Sequence, residues 1–216
     1  MPNGYVTQVV KVLAFLACFL AAVSNSAPAR AGEKVVLTFG DSLTAGYGLP
    51  AADGFVARLQ DSLRAHGSAV RVKNGSVSGD TSAGGRARLA WTLKGQIDLV
   101  ILELGANDGL RGVRPSVTRR NLDAILTELG RRGIPVLLAG MLAPPNLGAE
   151  FGRAFNSIYP DLARRHDVAL YRFFLEGVAA QPHLNQRDGL HPNAAGVQVI
   201  VDAITPHVLK LLDSQE

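Results

Sequence analysis

Beyond residue 31 the 216-residue chain contains no cysteine. The single one, Cys18, lies in an N-terminal stretch where Lys11 precedes an apolar run from Val12 to Val23, followed by small and polar residues and then Ala29-Arg30-Ala31. This is the layout of a signal peptide cut after Ala31. The run is shorter than the ~20 residues that span a bilayer comfortably, so no stable membrane span is expected. A lipid-attached Cys18 fits its Phe15-Leu16-Ala17 flank poorly. Residues 1–31 are therefore expected to be removed, leaving a domain over residues 32–216 in the periplasm or outside the cell. Disulfides are permitted in such a compartment, and their absence means that a packed core must supply the stability. A chain of this size buries about two thirds of its unfolded surface, enough for one domain.

Other absences exclude whole classes of function. The chain has 22 basic and 18 acidic residues. Lys11 and Arg30 fall in the signal segment, so the mature net charge is about +2, too small to indicate a nucleic-acid partner. Basic pairs such as Arg119-Arg120, Arg131-Arg132 and Arg164-Arg165 read as solvated helix faces. There is no Gly-Lys-Ser/Thr phosphate loop, and the glycines near position 40 lack the dinucleotide spacing. No His/Cys cluster offers metal-ligand spacing, so no metal site is expected; Asp41, Asp80 and Asp108 gathering a hard cation is the remaining alternative. The chain shows no internal repeat, low-complexity tract or linker.

What is present is an alternation of short apolar runs with segments of helical period, the pattern of parallel strands joined by crossover helices. Strands are expected at Val35–Phe39, Val70–Asn74, Asp98–Leu104, Pro135–Gly140 and Ala169–Tyr171. Helices are expected near Gly54–His66, Ser82–Trp91, Ser116–Arg132, Phe151–Arg165 and Asn193–Leu212. The continuous hydrophobicity of Leu99-Val100-Ile101-Leu102 suits a strand covered on both faces. The expected fold is an α/β three-layer sandwich, α/β/α, around a parallel sheet of about five strands. Right-handed crossovers then bring the loops after the strands to one edge of the sheet.

Those loops carry chemistry. Gly40-Asp41-Ser42-Leu43 follows the first strand, which puts a hydroxyl on a sharp turn at a strand's carboxyl end. A serine needs a base, and the base needs an orienting group. His191 and Asp188, three residues apart in Asp188-Gly189-Leu190-His191-Pro192, meet that need, with Asp188 fixing the tautomer. The helix start that follows disfavours a charged imidazole. Of the other histidines, His183 ranks second; His66 stands at a helix end, His166 on a solvated helix face and His207 within the last helix. Candidate donors to an oxyanion are the backbone N–H groups of Ser42 and Gly79 and the side-chain amide of Asn107. Each feature also has an ordinary reading: Asp188-Gly189 and Gly79-Asp80 as turns, Asn107 or Asp108 as a helix cap.

Taken in order, Gly40-Asp41-Ser42-Leu43, Gly79, Gly105-Ala106-Asn107-Asp108 and Asp188-Gly189-Leu190-His191-Pro192 resemble the four blocks of the SGNH (GDSL) hydrolase family. Ser78-Gly79-Asp80-Thr81-Ser82, the run from Glu103 to Gly112 and Ile158-Tyr159-Pro160 resemble its secreted bacterial arylesterase, thioesterase I and lysophospholipase subgroup. The resemblance spans the mature chain. It implies a flavodoxin-like fold, Ser42 as nucleophile, His191 as base, Asp188 as orienter, and Ser42, Gly79 and Asn107 as oxyanion hole. It also implies cofactor-free cleavage of acyl esters, thioesters or lysophospholipids; a monomer is expected. Leu142, Ala143 and Pro144 fall in a segment that lines the acyl site of such enzymes. The rival readings are a non-catalytic acyl- or lipid-binding protein on the same fold and a carbohydrate acetylesterase. Leu110, Val113, Leu142 and Leu147 argue against a sugar groove, which favours aromatic platforms.

Overall fold

Runs of Val, Leu and Ile extend into five strands, β1 (Lys34–Gly40), β2 (Val70–Asn74), β3 (Leu99–Glu103), β4 (Val136–Ala139) and β5 (Ala169–Tyr171). The computed structural model describes residues 33–214, so the expected signal peptide and its cleavage point lie outside the described residues. Eight α-helices occur among the described residues: α1 (Ser42–Ala45), α2 (Phe55–Ala65), α3 (Ser82–Thr92), α4 (Ala106–Leu110), α5 (Pro115–Arg131), α6 (Ala149–Asn156), α7 (Ile158–His166) and α8 (Ala194–Asp213).

All strand pairs are parallel, in the order β2-β1-β3-β4-β5. Helices cover both faces: α2 packs on α8 on one side, and α3, α5 and α7 pack in succession on the other. Every residue of β3 and β4 is buried, which is why they read as unbroken apolar runs. The helices meet the sheet through leucine and isoleucine stripes, Leu122, Ile125, Leu126 and Leu129 on α5 and Ile200, Val201, Ile204 and Val208 on α8. Helix α8 is long and apolar enough to cross a bilayer, yet its apolar side is the floor of this core.

The expected sandwich is the one found, with two differences. A single helix over Phe151–Arg165 was expected, whereas the chain forms α6 and α7 with a break at Ser157. Pro160 has no N–H to give the Asn156 carbonyl, so the ladder is interrupted one turn before it. The one-turn helices α1 and α4, too short to show a period, follow the very strands whose ends carry Ser42 and Asn107.

Connection direction sets the place of the site. From β1 the chain moves to β2 at one edge, then returns past β1 to β3 and continues to β4 and β5. The reversal lies between β1 and β3, where such sheets open a crevice at the strands' carboxyl ends. Gly40 of β1 stands directly beside Glu103 of β3.

Candidate active site

The turn after β1 is dictated by crowding. A Cβ at Gly40 would run into Thr44 Oγ1 and into the main-chain and carboxylate oxygens of Glu103. Asp41 then caps α1, accepting from Leu43 N at 3.1 Å, and Gly46 ends the helix with φ +84°. Ser42 therefore holds the first helical position, where the backbone N–H has no partner within the helix.

The chain returns to this point 149 residues later, where His191 Nε2 lies 2.9 Å from Ser42 Oγ. Its Nδ1 lies 2.7 Å from Asp188 Oδ2. Asp188 Oδ1 also accepts from the main-chain N–H of Leu190 and His191 at 2.9 and 3.0 Å. These bonds, the His191 backbone N–H first and the imidazole next, draw the Asp188 carboxyl down to about 2. An anionic partner on Nδ1 keeps the proton there, so Nε2 is free to accept from the serine. The Tyr47 ring leans on the imidazole, with centroids 4.6 Å apart. Gln186 Nε2 donates to Tyr47 O and Pro192 O at 2.8 and 2.9 Å, strapping the two loops together.

Asn107 lies in α4, immediately beyond β3. Its Nδ2 donates to Asp41 Oδ2 at 3.1 Å, which engages one amide hydrogen and leaves the other. Neither Asn107 nor Asp108 caps this helix; Gly105 occupies that position. Asp108 is buried and accepts from Ser82 N at 2.7 Å and Thr118 Oγ1 at 3.0 Å, fixing α4 to the starts of α3 and α5. Gly79, in the loop after β2, adopts φ +82°, and its carbonyl accepts from Arg111 Nη2 at 3.0 Å. The left-handed backbone there suits glycine.

Asp41, Asp80 and Asp108 turn to different partners. Asp80 pairs with Arg88, and among the described residues no group of three or more His, Cys, Asp or Glu is arranged to hold a metal. His183, ranked second, is exposed and does not line the cavity that holds Ser42; its carbonyl accepts from Asn193 Nδ2 at 2.9 Å. His166, expected on a solvated face, is half-buried with Nε2 2.7 Å from Asp123 Oδ1. His66 reaches Ser62 O, and His207 meets Tyr171 edge-on.

Ser42, Asn107 and His191 line a cavity of about 470 Å³. Leu142, Ala143 and Pro144 form part of its wall, as do Leu43, Leu110, Met141, Phe173 and Leu175. Asn156 Oδ1 accepts from Ala143 N at 2.8 Å and so anchors the wall to α6. The sequence gives no sign of Phe173 and Leu175, because apolar residues in the run Phe173-Phe174-Leu175 look like ordinary core, and Phe174 is indeed fully buried. Glu103 was also missed as a site element. It is completely buried at the end of β3, and burial together with the charge of Asp41 pushes its carboxyl well above the usual range. Burial likewise raises Asp41, to about 6.

Residues 38–199 match the model of the GDSL-like lipase/acylhydrolase family. The chain belongs to this family. It is 42% identical to an arylesterase from Vibrio mimicus over 188 residues, covering 87% of this chain and 94% of that one. Esterase TesA from Pseudomonas aeruginosa is 41% identical over 184 residues, covering 85% of this chain and 92% of the relative. Among solved structures, the SGNH-hydrolase family esterase AlinE4 is 50% identical with a TM-score of 0.71, covering 82% of this chain and 96% of that one. The chain is accordingly an ester-hydrolysing serine hydrolase of the SGNH type.

Proposed function

We propose that this hydrolase cleaves acyl esters and thioesters through an acyl-enzyme on Ser42. His191 Nε2 takes the Ser42 proton as Oγ attacks the carbonyl carbon, then gives it to the departing alcohol or thiol as the tetrahedral intermediate collapses. Asp188 stabilises the imidazolium that exists between those two transfers. Water, deprotonated by the same imidazole, attacks the acyl-enzyme carbonyl, and as that intermediate collapses the imidazolium returns the proton to Ser42 Oγ and the acid is released. Negative charge on the carbonyl oxygen is met by the N–H groups of Ser42 and Gly79 and the amide of Asn107, neutral donors that become strong where water is excluded.

The observation that carries this reading is the pair of His191 contacts, 2.9 Å to Ser42 Oγ and 2.7 Å to Asp188, at an apolar cavity. Apart from the imidazole of His191, Phe173 is the single aromatic side chain among the described residues of that wall, which favours an acyl chain over a sugar ring. An apolar wall suits the acyl chain and sets few demands on the departing alcohol or thiol, so many esters are accepted, lysophospholipids among them. We further propose that the mature enzyme begins near residue 32, works as a monomer outside the cytoplasm and needs no cofactor. Ser42→Ala is expected to abolish hydrolysis of p-nitrophenyl esters while its circular dichroism stays that of the parent. Full activity in that variant would sink the assignment.

A further inference from the structure

Directly beneath the Ser42 turn lie two acids, Asp41 and Glu103, both with no exposed surface and so out of reach of any substrate. Four donors converge on the two carboxyl groups and leave one of their four oxygens without any. Asp41 Oδ1 accepts from Leu43 N and Oδ2 from Asn107 Nδ2, each at 3.1 Å. Glu103 Oε2 accepts from Asp41 N at 3.2 Å and Thr44 Oγ1 at 3.1 Å, whereas Glu103 Oε1 is buried with no donor among the described residues. The two acids are neighbours, joined by the Asp41 N–H on Glu103 Oε2, and burial with the charge of Asp41 pushes the Glu103 carboxyl up. Two carboxylates in contact in a dry site do not both ionise; they share a proton. An oxygen that lacks a donor costs free energy as an acceptor but not as a hydroxyl. Both oxygens of Asp41 already receive N–H groups, so the proton belongs on Glu103.

We infer that neutral Glu103 donates to ionised Asp41, and that Asp41 in turn holds the Asn107 amide with its second N–H directed into the cavity, making both acids positioning residues for the oxyanion donor. The inference rests on the role proposed for Asn107. Other charged or titratable groups face the pair without supplying that proton. Arg88 Nη2 donates to Gly40 O at 3.0 Å with its guanidinium over the Phe39 ring, and Tyr159 OH donates to Leu104 O at 2.9 Å. Asp108 is bound to Ser82 and Thr118, and His191 faces Asp41 only as a distant charge.

The chemistry distinguishes substitutions of equal size. An amide at position 41 offers one acceptor where two N–H groups and an O–H need three, so one contact becomes donor against donor. An amide at position 103 still donates to Asp41 and still accepts from Asp41 N and Thr44. The test measures kcat and KM on a p-nitrophenyl ester, with active sites counted by a fluorophosphonate so that unfolded protein drops out. Asp41→Asn is expected to lower kcat about 10-fold with KM within about 2-fold, because the affected interaction forms in the transition state. In an Asn107→Ala background the same change is expected to cost less than about 2-fold, since its target is gone. Glu103→Gln is expected to stay within about 3-fold of the parent and Glu103→Met to lose about 10-fold, a pair that decides the matter even if Asp41→Asn fails to fold. Equal losses from Asp41→Asn in both backgrounds, or from Glu103→Gln and Glu103→Met alike, would overturn the inference. If Asn107→Ala itself leaves kcat unchanged, the oxyanion reading fails and this one with it. Should Asn107→Ala be impaired and Asp41→Asn not, only this one fails.

Discussion

Asp188 accepts three hydrogen bonds from Leu190 and His191, and they hold its carboxyl at about 2. The direction fixes the pH behaviour. A carboxyl whose folded value lies below its unfolded one stabilises the fold above about pH 4, and that contribution fades as pH falls from there toward 2. Loss of activity on moderate acidification therefore cannot come from Asp188, which stays anionic throughout. Asp188→Asn keeps the shape but presents an amide to Nδ1, which favours the wrong tautomer. We expect kcat to fall by roughly 10³-fold or more with KM nearly unchanged; steady-state kinetics at pH 7 that show less than a tenfold loss would remove Asp188 from its role. This pair was legible in the sequence because both residues share one turn. The contact of His191 with Ser42 is made across 149 residues, and it was pointed to by the expectation that parallel strands align their following loops, together with the resemblance to the SGNH family. Glu103 was not legible at all, since one acid at the end of an apolar strand does not reveal which face it buries or what it meets there.

At the level of elements, the strands were readable to within a residue or so because burial on both faces demands unbroken apolar runs, as in Leu99-Val100-Ile101-Leu102. The division of α6 from α7 was not, although Pro160 marked it, because a proline near the start of a helix and one inside it look alike along a sequence. The break has a structural use. It lets α7 start at Ile158 with Tyr159 fully buried, and the Tyr159 hydroxyl donates to Leu104 O, one residue before the Gly105 that opens α4. Tyr159→Phe leaves that carbonyl without its donor, which costs about 1–3 kcal/mol for a buried group. A urea midpoint equal to the parent's would contradict this. The same variant is expected to reduce kcat more than KM, because α4 carries Asn107.

Across the whole molecule, a sheet whose order reverses between β1 and β3 gathers the Ser42 turn, the Gly79 loop and α4 at one edge, and the loop after β5 closes the circle with Asp188 and His191. A core of aliphatic and aromatic residues on both faces of that sheet, with no cysteine beyond Cys18, holds the edge together without crosslinks. The cavity at that edge is apolar enough for an acyl chain, with exposed Leu110, Leu142 and Leu190 at its wall. All of this chemistry converges on one oxygen atom, which makes covalent labelling the most direct test. Mature protein treated with an alkyl fluorophosphonate, digested and analysed by mass spectrometry is predicted to carry a single adduct on Ser42, slowed by several orders of magnitude in His191→Ala. An adduct on any other side chain, or labelling of Ser42 at an undiminished rate in His191→Ala, would contradict the serine–histidine mechanism.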